Sequence, residues 1–249
     1  MISFNTKPVI LTILENHDYQ ELMGDIDALF IVYRCAGSKS INRPLPKNHQ
    51  IVYDITPNIR PDILLSQNKI NQYGIFKEMQ KKYGAPIISL YHNIVSPKDV
   101  DRTFLAKSDE DVFLSKDHAA AWGVSNPCII PPTTNKSLGQ IHEPFIYLNK
   151  DFSFNSFYTI LNLMADGYCI ISPAVYEINN IIKHGYNGLL YKKENPEKEK
   201  DILSRLGKND DLIMEFGANA QKTISDKFSK SLFTEKWNTL IKKHTNKEK

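Results

Sequence analysis

The clearest pattern of hydrophobic and polar positions runs over residues 155–191. Its spacing predicts, in order, a helix over 155–166, a strand over 168–172, a helix over 175–183 and a strand over 189–191. Asp166-Gly167 ends the first helix, because glycine readily takes the left-handed conformation found at helix C-termini. Two strands joined through a helix form a parallel pair. This stretch therefore predicts part of an α/β fold.

The first half of the chain shows the same alternation between short apolar runs and polar connections. The runs that predict strands cover 9–14, 27–33, 51–53, 63–65, 86–91, 111–115 and 128–132. Helices are predicted over 70–82, over 98–107 and around 119–122. After the last strand the chain becomes polar and helical, over 196–206, 210–227 and 230–244. This order of elements predicts a mostly parallel sheet with helical connections.

Composition places the chain among ordinary globular proteins. Its 249 residues suffice for one large domain or two small ones, and 41% apolar with 24% charged residues is typical of a protein with a packed core. No apolar run is long enough to span a bilayer, and the first residues lack the pattern of a signal peptide. Cys35, Cys128 and Cys169 are far apart and odd in number. This argues against a disulfide framework or a zinc site, and it predicts a reducing, cytoplasmic location.

Two motifs in the stretch at 155–191 carry a family resemblance. Met164-Ala165-Asp166-Gly167 is followed by Gly185-Tyr186-Asn187-Gly188-Leu189-Leu190. In order and spacing they resemble the donor-binding half of GT-B glycosyltransferases, the retaining, sugar-nucleotide-dependent, group 1-like kind. Upstream, IISLYHN, DVFLSKDHAAAWG and CIIPP resemble the strand ends of the N-terminal Rossmann-like domain of the same enzymes.

The resemblance implies an α/β fold with two Rossmann-like domains facing a cleft. Residues 1–132 would form the N-terminal acceptor domain, 133–227 a nucleotide-sugar-binding domain, and 228–249 a C-terminal helix that crosses back to the first domain. The second domain is shortened: the family segment whose Arg and Lys grip the diphosphate has no counterpart after Pro132. The chain is thus a compact and divergent version of the family pattern.

The donor site departs from the family pattern at its acidic positions. The two family glutamates match Phe154 and Asn162, and the family Pro-Glu pair matches Asn179 and Asn180. Free backbone amides at the start of the helix near Asn155 would face a phosphate, although a capping role explains the same polar residues. The donor-binding candidates are Lys150, Ser153, Asn155, Ser156, Asn162, Glu177 and Asn180.

Three residues are candidates for the chemistry. The resemblance matches His92 to a family histidine that lies near the transferred sugar. His17 and Asp18 follow the first strand, where an acid–base pair facing the acceptor would also suit an inverting mechanism. No His, Asp or Cys cluster has metal-ligand spacing, so we expect a nucleotide-sugar as co-substrate and neither a metal nor a cofactor.

The composition of the chain and its basic residues bear on the identity of the acceptor. The excess of Lys, Ile and Asn indicates an AT-rich coding sequence, as in many phages and low-GC bacteria, and phage enzymes of this fold can glycosylate hydroxymethylated DNA bases. The resemblance therefore implies a glycosyltransferase that moves a sugar from a nucleotide-sugar to a hydroxyl acceptor, and such bases in double-stranded phage DNA are the first expectation for that acceptor. A DNA acceptor predicts a basic cleft and salt-sensitive binding. The acceptor-binding candidates are Lys39, Arg43, Arg60 and Asn68.

Other functions fit the same residues. A cell-surface glycan or lipid-linked acceptor would favour an exposed basic helix, such as 69–82. The missing glutamates favour a non-catalytic GT-B-like binding subunit. A plain nucleotide-binding Rossmann protein fits less well, because no Gly-rich phosphate loop follows the first strand. Retention and inversion of the anomeric centre both stay open, as does the oligomeric state.

Overall fold

The computed structural model describes residues 7–35, 40–67, 69–91, 108–142, 145–148, 156–174, 178–192 and 196–246, with backbone alone for 69–71, 156–157 and 196–199. The chain divides into two compact units. Unit 1 comprises Met1–Ile130 and Thr234–Lys249, and unit 2 comprises Pro131–Phe233.

Unit 1 is built on a seven-stranded parallel sheet of order β3-β2-β1-β4-β5-β6-β7. Its strands are β1 (Val9–Thr12), β2 (Leu29–Tyr33), β3 (His49–Val52), β4 (Ile63–Ser66), β5 (Ile87–Leu90), β6 (Glu110–Phe113) and β7 (Cys128–Ile129). The central strands β4 and β5 are buried along their whole length. Continuous apolar strands of this kind belong to parallel sheets covered on both faces. The predicted parallel α/β fold is therefore confirmed.

Helices cover the sheet and complete the second unit. They are α1 (His17–Leu22), which continues into a 3₁₀ turn (Met23–Asp25), α2 (Lys69–Tyr83), α3 (Lys116–Ala121), α4 (Ser156–Ala165), α5 (Pro196–Leu206), α6 (Asp210–Lys227) and α7 (Lys230–Thr245). A second 3₁₀ turn covers Ile178–Asn180. Asn16 caps α1 by accepting the Tyr19 N–H at 3.0 Å, and Asn209 caps α6 by accepting the Leu212 N–H at 3.1 Å.

The C-terminal part of α7 packs within unit 1. Lys236 Nζ donates to the carbonyl of Ile129 at 3.2 Å. Near its end, Lys243 forms an ion pair with Glu110 at the start of β6, and His244 Nε2 lies 3.2 Å from the same carboxylate. Because Glu110 is separated from these residues by more than half of the chain, the helix closes unit 1 through long-range contacts.

Unit 2 contains a three-stranded parallel sheet of order β10-β9-β8. The strands are β8 (Ile146–Tyr147), β9 (Ile170–Pro173) and β10 (Gly188–Tyr191). The core beneath it contains Cys169, Ile171, Tyr191, Leu206, Ile213 and Phe216. Burial raises the pKa of Cys169 to about 12, so this thiol stays protonated and packs as a small apolar group.

Several element predictions need correction. β7 ends at Ile129 and not at residue 132. β1 ends at Thr12 and not at residue 14, and β9 extends through Pro173, which pairs with Tyr191. A proline at the end of a strand is tolerated there because no ladder hydrogen bond needs its missing N–H. The predicted helix over 175–183 is wrong in its second half, where only the 3₁₀ turn Ile178–Asn180 forms. The predicted helix over 98–107 lies outside the described residues.

Candidate functional site

The carboxyl ends of β1 and β4 are the natural place for a site in unit 1. The strand order reverses between these two neighbours, because the chain leaves β1 towards β2 and β3 and later returns through β4 to β5. Ligands of open parallel sheets bind at such a switch point, outside the carboxyl ends of the strands. The segment from the end of β1 through the first turn of α1 holds Glu15, His17 and Asp18, and the connection from β2 to β3 holds Arg43.

A pocket of about 400 Å³ lies at this turn. It is lined by Leu14, Glu15, His17, Asp18, Ser40, Asn42 and Arg43. Three of the residues predicted from the sequence, His17, Asp18 and Arg43, are thus brought together in one pocket. Most of the lining side chains carry hydrogen-bonding groups, so the pocket suits a ligand rich in hydroxyl groups.

The side chain of Arg43 contacts three polar side chains at the pocket. Its Nε donates to Nδ1 of His17 at 2.9 Å, and one terminal nitrogen donates to Asp18 Oδ1. The same terminal nitrogen lies 3.4 Å from Glu21 Oε2. The guanidinium group is therefore shared among an imidazole and two carboxylates, in the fork geometry that arginine alone provides.

His17 is bound by Arg43 through both of its ring nitrogens. Nδ1 receives the Arg43 Nε–H, so it carries no proton, and Nε2 lies 3.0 Å from the backbone oxygen of Arg43, to which it donates. These two contacts assign a neutral imidazole protonated at Nε2. In this arrangement neither nitrogen is left to accept a proton from a substrate.

A buried chain of hydrogen bonds runs behind the pocket. Thr12 donates to the carbonyl of Leu65 at 2.9 Å, and the amide of Gln67 donates to Thr12 Oγ1 at 3.0 Å and to Gln20 Oε1. The amide of Gln20 in turn donates to His49 Nε2 at 2.6 Å. Thr12, Gln20 and Gln67 are all buried. The chain joins the carboxyl ends of β1 and β4 to α1 and β3, which fixes the backbone that carries the pocket.

His49 closes this chain as a neutral ring. Its Nδ1 donates to Asn48 Oδ1 at 2.7 Å, and the ring stacks on Phe30 with centroids 4.6 Å apart. Burial lowers the pKa of His49 to about 4. No sequence pattern indicates this network, because glutamines and a histidine at these spacings are typical of solvated positions.

In unit 2, Asn162 is the residue that the sequence resemblance matches to the second family glutamate. Its Oδ1 accepts a hydrogen bond from Thr134 Oγ1, and that hydroxyl accepts the Lys136 N–H at 3.0 Å. Lys136 itself forms an ion pair with Asp166. Asn162 therefore presents an amide, held from one side, where the family pattern has a carboxylate.

The Gly-x-Asn-Gly motif has a structural explanation in Asn187. Its Oδ1 accepts the Lys183 N–H at 2.7 Å, while its amide donates to the carbonyl of Ile181 at 3.1 Å and to Thr223 Oγ1 at 2.9 Å. Gly188 follows at φ 154°, and a Cβ there would lie 2.5 Å from the carbonyl oxygen of Ile170. Both residues hold the turn before β10 against β9 and α6.

The remaining predicted residues are placed as follows. Asn180 is half-buried in the 3₁₀ turn of unit 2, and Ser156 is the first residue of α4. Arg60 is exposed just before β4, at the amino edge of the sheet, so the structure does not bring it to the pocket. Outside the described residues lie His92, Lys39, Asn68, Lys150, Ser153, Asn155 and Glu177.

Comparisons with known proteins bear on the fold. No protein-family model matches the sequence, and no curated protein sequence is significantly similar to it. Similar solved structures are Alr3699/HepE of Anabaena in complex with UDP-glucose (TM-score 0.62, 10% identity, 93% of this chain and 99% of that chain), a glycosyltransferase from Rickettsia africae (0.67, 11%, 98% and 100%) and sucrose-phosphate synthase from Thermosynechococcus elongatus (0.68, 9%, 95% and 99%).

These similarities establish the class of fold. The neighbours are GT-B glycosyltransferases, and the match runs over nearly the whole of this chain and of each neighbour. The predicted GT-B fold is therefore confirmed. In the described part of the chain, no helix is both long and apolar enough to cross a membrane, and no group of three or more His, Cys, Asp and Glu residues is arranged to hold a metal ion.

Proposed function

We propose that this protein is a nucleotide-sugar-dependent glycosyltransferase. The observation that carries the proposal is the shared fold: between 93% and 98% of the chain superposes on glycosyltransferases, and one of them was solved with UDP-glucose bound. A cytoplasmic location is part of the proposal, since the cysteine pattern predicts a reducing compartment. The match of motifs over residues 164–190 supports the same class.

Glycosyl transfer asks for little covalent chemistry from the protein. An acceptor hydroxyl oxygen must be held near the anomeric carbon while the nucleoside diphosphate leaves, and charge on the departing oxygens must be stabilised. Positioning and fixed electrostatics supply most of this. A site without the family's two glutamates can therefore still work, provided that other groups bind the donor.

Unit 2 supplies the groups that we assign to the donor. The ten-residue helix α4 begins at Ser156, and the positive end of a helix favours a phosphate. Asn162 lies on the same helix with its amide available to a ribose hydroxyl as a hydrogen-bond donor. Lys150, Ser153, Asn155, Glu177 and Asn180 stay predicted donor contacts.

The acceptor is the finer part of the proposal. Hydroxymethylated bases in phage DNA need a cationic surface, because neutralised phosphates dominate binding to duplexes. Among the described candidates, Arg43 is already engaged by Asp18 and Glu21, and Arg60 lies at the other edge of the sheet. These positions favour an uncharged hydroxyl acceptor, such as a glycan or the sugar of a lipid-linked acceptor, over DNA.

A non-catalytic GT-B-like binding subunit is the second candidate. It is favoured by Asn162, since an asparagine bonded to Thr134 stands where the family has a carboxylate. The two candidates differ in donor binding: the enzyme binds a nucleotide-sugar, whereas the subunit needs none.

Thermal unfolding against UDP-, GDP-, ADP- and dTDP-sugars tests the proposal. A donor present at about 100 times its Kd stabilises the folded protein by about 2.7 kcal/mol, which raises the Tm by several degrees. We expect one donor class to do so. Asn162→Ala should remove most of the shift, whereas the control Asn246→Ala, at an exposed position after α7, should leave it unchanged. No shift with any donor from a folded sample would contradict the enzyme and support the binding subunit.

A further inference from the structure

The pocket at the β1–α1 turn is closed on one side by Arg43, which we predicted from the sequence as an acceptor-binding residue. Arg43 comes from the connection between β2 and β3, yet it makes reciprocal hydrogen bonds with His17: its side chain donates to one ring nitrogen and its backbone oxygen accepts from the other, at 2.9 and 3.0 Å. Removal of the guanidinium group would therefore release both His17 and the segment 40–43.

Asp18, unlike His17, has a side-chain atom that is available to bind a ligand. One carboxylate oxygen, Oδ1, accepts from Arg43. The other, Oδ2, has no hydrogen-bond or ion-pair partner in the part of the chain that the structure describes, and the side chain is 60% exposed beside the pocket. A carboxylate fixed through one oxygen presents the second in a defined direction, which is a good arrangement for accepting a hydrogen bond from a ligand hydroxyl.

The charges around the pocket set which ligands it tolerates. Glu15 and Asp18 line it, and Glu21 contacts the Arg43 guanidinium group, so the described residues bring three carboxylates and one arginine to this pocket. A phosphorylated or nucleic-acid ligand would meet net negative charge here, and like charges at close range disfavour binding. A neutral, hydroxyl-bearing ligand meets no such barrier.

We propose that Arg43 is a positioning residue, which holds segment 40–43 against the β1–α1 turn so that Asp18 binds a hydroxyl of an uncharged acceptor. In this assignment His17 orients Arg43 and does not take the acceptor's proton. The assignment rests on the proposed glycosyltransferase function, and it replaces direct substrate contact by Arg43 with an indirect role.

The first test examines the hydrogen bonds between Arg43 and His17 without any substrate. Nitrogen-15 NMR of the His17 ring should show the form protonated at Nε2, with Nδ1 hydrogen-bonded. Arg43→Lys keeps the charge but cannot reach His17 and Asp18 with a fork, so the spectrum should become that of a mixture of tautomers. Hydrogen exchange over 40–48 should be about tenfold faster in Arg43→Lys. The matched control is Arg205→Ala, which removes an exposed arginine paired with Asp201 at 2.9 Å and should change neither readout.

The second test reads the acceptor site by saturation-transfer NMR with the full chain. Maltose and lactose serve as uncharged probes, glucose 6-phosphate and a short DNA duplex as anionic ones. We expect saturation transfer to at least one of the neutral disaccharides and to neither anionic probe. The affinity for that disaccharide should be at least tenfold weaker in Asp18→Asn, and the loss of affinity should be smaller in Arg43→Lys. The control Arg205→Ala, at an exposed position away from the pocket, should leave the affinity unchanged.

Several results would overturn the inference. These are an unchanged His17 spectrum in Arg43→Lys, binding of the duplex or the sugar phosphate as strong as that of the disaccharides, no contact with either neutral disaccharide, or full binding in Asp18→Asn. Failure of the proposed function would give a different result. In that case no donor raises the Tm, while the His17 ring signals still show the hydrogen bonds to Arg43. The two failures are therefore distinguishable.

Discussion

The indole Nε1 of Trp237 donates a hydrogen bond to the hydroxyl of Tyr19 at 3.2 Å, and the two rings meet edge to face with centroids 6.5 Å apart. Trp237 lies on α7 and Tyr19 on α1, so this contact ties the last helix of the chain to the helix that carries the pocket. Both side chains are buried, and burial raises the pKa of Tyr19. The contact anchors α7 within unit 1.

Trp237→Phe should destabilise unit 1 by about 2 kcal/mol, because it removes the donor to Tyr19 and leaves unfilled volume in the core. Trp122→Phe is a matched control: the buried Nε1 of Trp122 has no hydrogen-bond partner among the described residues, so its loss relieves an unsatisfied group. Urea unfolding of both variants measures the difference. Equal losses would show that the hydrogen bond to Tyr19 contributes nothing.

Gly217 should not tolerate a side chain. It lies within α6, where a Cβ would overlap the carbonyl oxygen of Gly167 and approach Ile141 Cγ2 to 3.1 Å. Gly217→Ala should therefore cost about 3 kcal/mol or more, since the backbone of the Asp166-Gly167 turn would have to move.

Gly74→Ala is the control for Gly217→Ala. Gly74 is also helical, in α2, but a Cβ there meets no atom within 4 Å. Alanine should stabilise that helix by about 0.5–1 kcal/mol. Opposite signs in thermal unfolding confirm that close packing, and not helix propensity, decides the first substitution. Two effects of the same sign would be incompatible with the packing of α6 on this turn.

Asn187 should contribute to the stability of the fold through its side-chain hydrogen bonds, independently of any ligand. Asn187→Ala leaves the Lys183 N–H and the Ile181 carbonyl without their buried partner, so we expect a loss of about 3 kcal/mol. Exposed Asn246 provides the control, where alanine should change stability by less than about 0.5 kcal/mol. Full stability of Asn187→Ala would leave the Gly-x-Asn-Gly motif without its structural explanation.

The sequence predicts most of the fold because its signal is local. Strand and helix periods and the glycine at 167 give the elements and their order, and α6 was predicted with the bounds observed. The helix over 175–183 was partly wrong for a physical reason: the amide of Asn187 takes the carbonyl of Ile181, and its Oδ1 takes the N–H of Lys183. Those groups would otherwise extend a helix.

The site was less predictable than the fold. His17, Asp18 and Arg43 were found because polar residues after a strand are informative in a parallel sheet. Their bonding was not, since Arg43 reaches His17 only through the tertiary placement of the β2–β3 connection. The network of Thr12, Gln20, Gln67 and His49 was missed altogether.

His49 should make stability depend on pH in a defined window. Its pKa in the folded protein is about 4, lowered by burial, whereas an unfolded histidine titrates near pH 6.5. Between these values the unfolded chain binds a proton that the folded protein does not, so the free energy of unfolding falls as the pH drops from about 6.5 to 4 and levels off below. With allowance for partial solvent screening, we expect about 2 kcal/mol.

His49→Gln isolates this contribution. Glutamine keeps a donor and an acceptor for Asn48 and Gln20 but does not titrate. The difference in unfolding free energy between the parent and His49→Gln should shift by about 2 kcal/mol across that window. A difference that is flat from pH 7 to 4 would mean that His49 is protonated in the folded protein as easily as in the unfolded one.

Glycosyl transfer is tested most directly by the amount of nucleoside diphosphate released from UDP-, GDP-, ADP- and dTDP-sugars, measured with and without an uncharged saccharide acceptor. We expect release from the donor class that raises the Tm, faster with acceptor present and reduced at least tenfold in Asp18→Asn. No release from any donor by a folded protein that also binds none would contradict the proposal that this GT-B chain is a glycosyltransferase.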